Sequence, residues 1–169
     1  MAWIPRRAGE RGALEAGAFA GLLPGGRPVA DTAARVDIAA AWGVSTLPTE
    51  TGRSSAQMID AIHNDGLDAL VVGGVDIADL PDAARATAAM KKAFVVSLEI
   101  AHSSVTEVAD VVLPVAAVTE KYGTFINWEG RQRTFTAAVS DSLNRSDVRI
   151  LSALADAMGE SIMLGTVTA

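Results

Sequence analysis

The sequence predicts an α/β fold: a three-layer, doubly wound, mainly parallel sheet followed by a C-terminal hairpin and helix. Three observations carry this. The runs Ala69-Leu-Val-Val72, Phe94-Val-Val-Ser97 and Asp110-Val-Val-Leu113 are nearly continuously apolar, the pattern of strands buried on both faces. The segment between the first two has helix length, which is the spacing of a βαβ unit with a right-handed crossover. The chain has 169 residues, 50% of them hydrophobic and 20% charged. That suits a single domain with a substantial core, here expected over about residues 30–159.

Residues 2–4 (Ala-Trp-Ile) read as a short strand, and Pro5 to Gly12 as a polar, basic loop. Such a loop grips an anion or is simply solvated, and without a full dinucleotide spacing the solvated reading is the stronger. Glu15 to Val29 is broken by small residues and turns at Pro24-Gly25-Gly26. Asp31-Thr32 caps a helix to Trp42 that stops at Gly43. Val44–Leu47 is a strand candidate. Ser54-Ser-Ala-Gln57 is a capping box opening a helix with Met58, Ile59 and Ile62 on its apolar face, stopped by Gly66.

After the strand at 69–72, Pro81 to Lys92 reads as a helix, its alanines suited to close packing on a sheet. Pro114 ends the third strand because it cannot donate to a ladder. Phe125 to Phe135 reads as a hairpin turning near Glu129-Gly130. Asn144 to Gly159 holds a last helix with the stripe Leu151, Leu154, Ala155, Met158. Residues 160–169 read as a tail that continues in a longer protein.

Composition excludes several classes. The net charge is −6, and phosphate backbones need a basic face, so no nucleic-acid partner is expected. No apolar run approaches the roughly 20 residues of a membrane span, so no direct membrane insertion is expected. No signal peptide is read at Met1-Ala-Trp-Ile-Pro-Arg-Arg7, which points to a cytoplasmic location. The chain has 0 cysteines, which leaves it without disulfides, thiolate ligands to iron–sulfur clusters or a cysteine nucleophile. Its 2 histidines, His63 and His102, are far apart in sequence and no metal site is expected. There is no G-x-S-x-G elbow. Glu99 and Asp110 could meet as a carboxylate pair at strand ends, but strand-end carboxylates more often cap loops. Glu120-Lys121 can ion-pair with neighbours without consequence. No catalytic residue is assigned.

Ala109-Asp-Val-Val-Leu-Pro114, then Glu120-Lys121, Gly123-Thr-Phe125, Asn127 and Glu129-Gly-Arg131, resembles the ADVVLP…EKxGTFTNxEGR signature of the molybdopterin oxidoreductase family. Ala41-Trp-Gly-Val44, Leu47-Pro-Thr49 with Gly52, and Gly17, Ala18, Leu23, Pro24, Gly25, Pro28 and Val29 extend the resemblance, which covers about residues 14–159. The family includes bis-molybdopterin formate dehydrogenases and nitrate reductases. It also includes the large iron–sulfur subunit of respiratory NADH–quinone oxidoreductase (complex I), which keeps the fold but generally not the cofactor. The resemblance implies a fragment of a longer subunit, with cluster cysteines upstream.

On the complex I branch, to which the opening Trp3-Ile-Pro-Arg-Arg7 through Gly17 is most similar, it implies several things. The segment is a scaffold with no cofactor of its own, in a parent that carries iron–sulfur clusters. Its partners are other subunits of the peripheral arm, on the cytoplasmic face of the inner membrane. The alternative branch implies a fragment that holds the nucleotide end of molybdopterin guanine dinucleotide. The strand ending in Gly73-Gly74-Val-Asp76-Ile77 stands where the family has GxNP, with Asp76 replacing the asparagine. Glu99 stands near the family's nucleotide-reading aspartate.

Loops that follow parallel strands converge on one edge of a sheet. Gly73, Gly74, Asp76, Glu99, Ser103, Thr124 and Asn127 are therefore expected to line one depression, a vestigial cofactor site. For Asn127 to Gly130 the plain hairpin competes, with glycine supplying positive φ.

Overall fold

The computed structural model describes residues 9–139 and 143–162. The strand expected at 2–4 and most of the expected tail lie outside these residues. The chain divides into two compact units. One, the sheet unit, comprises residues 53–121 and 137–164; the other, the hairpin unit, comprises 1–52, 122–136 and 165–169.

In the hairpin unit, α1 (Glu10–Ala16) leads into a small antiparallel hairpin, β1 (Leu22–Leu23) and β2 (Arg27–Pro28), and then α2 (Thr32–Trp42). The α1 helix falls in the stretch expected to be loop and irregular chain. Glycines at 9, 12 and 17 mask it, yet two of them are its boundaries. Gly9 precedes the first turn and Gly17 closes the last with φ 72°, its N–H bonding to Leu14. A Cβ on Gly17 would lie 2.2 Å from the Leu23 carbonyl carbon, so this position accepts glycine alone.

The α2 helix starts and stops as expected. Asp31 accepts from the N–H groups of Ala33 and Ala34, and Gly43 ends the helix. Val44–Leu47 is not a strand. Val44 N–H turns back onto the Ala39 carbonyl as part of the helix stop, and Leu47 packs against the cluster of Leu23, Val29 and Ala34.

The sheet unit begins with α3 (Ser55–His63), opened by the expected capping box between Ser54 and Gln57. It ends at Asn64, earlier than Gly66 suggests, because Asp65 takes the left-handed φ of 56° and its carboxylate binds Lys92 Nζ at 2.6 Å. Then come β3 (Ala69–Gly73), a 3-10 turn (Ile77–Asp79), α4 (Ala83–Lys92), β4 (Phe94–Glu99) and β5 (Val111–Pro114). The three strands pair in parallel in the order β3-β4-β5.

Side chains alternate across a strand, so Leu70, Val72 and Val95 share one face. They pack with Ile62 of α3, Ala86, Ala89 and Met90 of α4, and Val105 of the β4–β5 connection. The alanines let α4 approach closely. Small side chains there match the sequence reading.

The α/β class and the parallel sheet are as expected, but the winding and the burial differ in detail. The connections β3–β4 and β4–β5 both contribute to the same buried cluster, so both cross on one face and the sheet advances in one direction. The reversal that defines double winding is not among these strands. The central strand β4 alone is largely buried. On the other face Val71 is 60% exposed, Phe94 52% and Val111 38%. The apolar runs at β3 and β5 thus belong to edge strands with one open side.

The hairpin of β6 (Gly123–Ile126) and β7 (Gln132–Phe135) belongs to the hairpin unit. In the sheet unit, α5 (Asp147–Ala157) follows, and none of its residues is fully buried. Its apolar stripe at Leu151, Leu154, Ala155 and Met158 is only partly covered.

Candidate functional site

The carboxyl ends of β3, β4 and β5 surround a depression of about 480 Å³. Val71, Gly73 and Gly74 form one side. Leu98, Glu99 and Ile100 come from the end of β4, and Val115 follows β5. Lys121, and Asp147 and Leu151 of α5, complete the lining. Its walls are mainly aliphatic. Lys121 Nζ and Asp147 Oδ2 form an ion pair at 2.5 Å, and Asp147 sits in the first turn of α5, where a carboxylate also favours the helix dipole. Backbone pairing holds this end of the unit together: Ala116 N–H donates to the Arg145 carbonyl at 2.8 Å. Glu99 is half-buried, and among the described residues its carboxylate has no hydrogen-bond or ion-pair partner.

Of the seven residues singled out from sequence, Gly73, Gly74 and Glu99 line this depression. Asp76 and Ser103 belong to the same unit but are not among the lining residues. Asp76 is occupied as a cap: its Oδ1 accepts from Ala78 N–H at 3.0 Å and starts the 3-10 turn. Ser103 is tied to Thr106. Its Oγ accepts from Thr106 N–H at 3.3 Å, and its own N–H donates to Thr106 Oγ1 at 2.8 Å.

Thr124 and Asn127 lie in the hairpin unit. Thr124 pairs with Thr134 across the hairpin. Asn127 builds the turn, its Oδ1 accepting from Glu129 N–H at 3.1 Å and Arg131 N–H at 2.9 Å. Gly130 takes φ 82° in that turn. The plain hairpin reading of this stretch is what the local geometry displays.

Glu99 and Asp110 do not form a pair. Parallel register sets Glu99 opposite Pro114 at the carboxyl end of the sheet, whereas Asp110 precedes the pair Val96–Val111. The Asp110 carboxylate accepts from Val95 N–H at 2.7 Å, and Asp110 N–H donates to the Val95 carbonyl at 2.9 Å. Among the histidines, His63 Nε2 lies 3.2 Å from the Arg85 carbonyl, between α3 and α4. No three His, Cys, Asp or Glu side chains among the described residues stand close enough to share a metal ion.

The sequence reading missed seven lining residues: Val71, Leu98, Ile100, Val115, Lys121, Asp147 and Leu151. Only Lys121 carried a signal, as half of an ion pair, and its partner is 26 residues away.

Open α/β sheets place ligand sites outside the carboxyl ends of their parallel strands, which is where this depression lies. The chain belongs to the molybdopterin oxidoreductase family, whose sequence model matches residues 3–157. It is 57% identical over 164 residues to the G subunit of NADH-quinone oxidoreductase from Streptomyces coelicolor, an alignment covering 94% of this chain and 20% of that protein. The Mycobacterium tuberculosis protein of the same name is 53% identical, covering 100% of this chain and 22% of its own length. A nitrate reductase of Symbiobacterium thermophilum is 34% identical, over 86% of this chain and 20% of its own length. The chain thus spans about a fifth of the length of the curated relatives it matches.

Proposed function

We propose that the chain is a segment of the large iron–sulfur subunit of an NADH–quinone oxidoreductase, serving as a scaffold with a vestigial cofactor site. The observation that carries this is the 53–57% identity with two NADH-quinone oxidoreductase G subunits over 94–100% of this chain. In this reading the parent carries iron–sulfur clusters on residues outside this segment. The partners are other subunits of a peripheral arm at the cytoplasmic face of the membrane. No described helix is long and apolar enough to cross a membrane.

The chemistry of the depression supports the absence of molybdopterin guanine dinucleotide. A dinucleotide brings a pyrophosphate, which needs cations or convergent N–H donors. The lining offers Glu99, Asp147 and Lys121, and the lysine is already neutralised by Asp147. These residues do not fit the group. The replacement of an amide by Asp76 contributes nothing here, because Asp76 is spent on its turn.

The alternative, a fragment that holds the nucleotide end of that cofactor, draws its support from Glu99. A free carboxylate beside an apolar wall can accept from the N–H edge of a purine. Calorimetric titration with GMP and GDP separates the two readings. The scaffold reading expects no binding in the micromolar range and no NADH oxidation with an artificial acceptor by the isolated chain. A micromolar constant that weakens in Glu99→Ala would establish the alternative.

A further inference from the structure

We propose that the depression is a socket for an arginine side chain presented on an aliphatic segment of a neighbouring polypeptide. The inference rests on the scaffold reading and gives the former cofactor edge a protein occupant.

The charges select the ligand. Lys121 and Asp147 cancel each other, which leaves the unpartnered carboxylate of Glu99 as the net charge of the lining. An anionic ligand is repelled there. A metal ion lacks ligands, because no group of three candidate side chains gathers among the described residues. An organic cation fits. Guanidinium is planar, weakly hydrated and bidentate towards carboxylates, so it suits a half-buried partner better than a strongly hydrated ammonium does.

The walls select the context. Val71, Leu98, Ile100, Val115 and Leu151 offer aliphatic surface to the stem of an arginine. Ile100 is 65% exposed and Leu151 37%, as parts of a rim wider than one guanidinium covers. A flanking aliphatic residue on the same segment completes that rim. Arginine in an apolar surround is also a common composition for the energetic centre of a protein interface. The net charge of −6 favours approach by a cationic partner.

The test is an amide-resolved NMR titration of the 169-residue chain with the capped tripeptide Leu-Arg-Leu, its citrulline analogue Leu-Cit-Leu, and GMP. Citrulline keeps the shape of arginine and removes the charge. The expected result is saturable shifts at Gly73, Gly74 and Ile100 with the arginine peptide. The citrulline peptide should bind about tenfold more weakly or worse, the loss of one charge-assisted contact. Glu99→Gln should abolish the difference between the two peptides, and Leu151→Ala should weaken both equally. Equal binding of the two peptides to the unaltered chain overturns the proposal, as does the absence of any shift. In both cases the scaffold reading stands. Glu99-dependent binding of GMP in the micromolar range overturns the scaffold reading itself.

Discussion

The two compact units are held together by different means. Among the described residues, the sheet unit has a contiguous core of nine buried residues from α3, the 3-10 turn, α4 and the Ala93 that follows it, β3, β4 and the β4–β5 connection. Among the described residues, the buried cluster of the hairpin unit has three, Leu23, Val29 and Ala34. In their place it relies on backbone geometry: the left-handed Gly17 pressed on Leu23, the Asn127 turn, and the stacked rings of Phe125 and Phe135 at 4.7 Å. One unit is stabilised mainly by burial. The other depends on a few positions where only one residue type fits. Truncating a core side chain should therefore hurt the first unit most, and altering a turn should hurt the second.

The largest effect should come from Ile62→Ala. Ile62 is 1% exposed at the centre of the cluster, and its truncation is expected to cost about 3–4 kcal/mol. Chemical denaturation with hydrogen exchange at residues 69–99 reads this loss. Equal loss of protection in the hairpin unit would break the contrast.

Gly17→Ala should follow, at about 2–3 kcal/mol, because it adds a Cβ into a backbone carbonyl at a positive φ. Faster exchange at Leu22, Leu23 and Val29 is the expected readout. An unchanged pattern would mean that the hairpin unit is not governed by that approach.

Asn127→Ala removes both side-chain hydrogen bonds of the β6–β7 turn and is expected to cost about 1 kcal/mol. Chemical shifts should move within residues 123–135 and nowhere in the parallel sheet.

The smallest effect concerns Asp65. Lys92 beside it, by hydrogen bond and charge, holds its carboxyl below the ordinary 3.8. A lowered folded value means that this pair stabilises the fold at pH above 3.8 and that its contribution fades as pH falls through the lowered value. Asp65 is fully exposed, so salt weakens the pair. The melting-temperature difference between the native chain and Asp65→Asn should shrink on acidification and in high salt. A pH-independent difference would remove the ion pair from the account.

Much of the scaffold was legible in the sequence, because its signals are local. Asp31, Ser54 with Gln57, and Gly43 mark helix ends through hydrogen bonds within four residues. The three apolar runs marked the strands. Their exposure was not legible, since an edge strand and a central strand share a composition when a face is left open. The candidate site was legible at Gly73, Gly74 and Glu99 and obscured elsewhere for two reasons. Asp76, Ser103 and Asn127 are residue types that serve equally as ligand contacts and as turn formers, and here local N–H groups claim them. Asp147 was invisible because its partner Lys121 is distant in sequence.

Asp110 has a consequence for how the sheet assembles. One residue grips both the N–H and the carbonyl of Val95, immediately before the ladder of β5 begins. A slip of β5 by one position would break both bonds and turn the strand's side chains, Val112 and Leu113 among them, to the opposite faces. The carboxylate thus acts as an alignment pin. It sits at the amino end of the strand, and the closure it makes spans only 15 residues. A contact that local forms early at little entropic cost, so the pairing of β4 with β5 can be set before the more distant α5 docks.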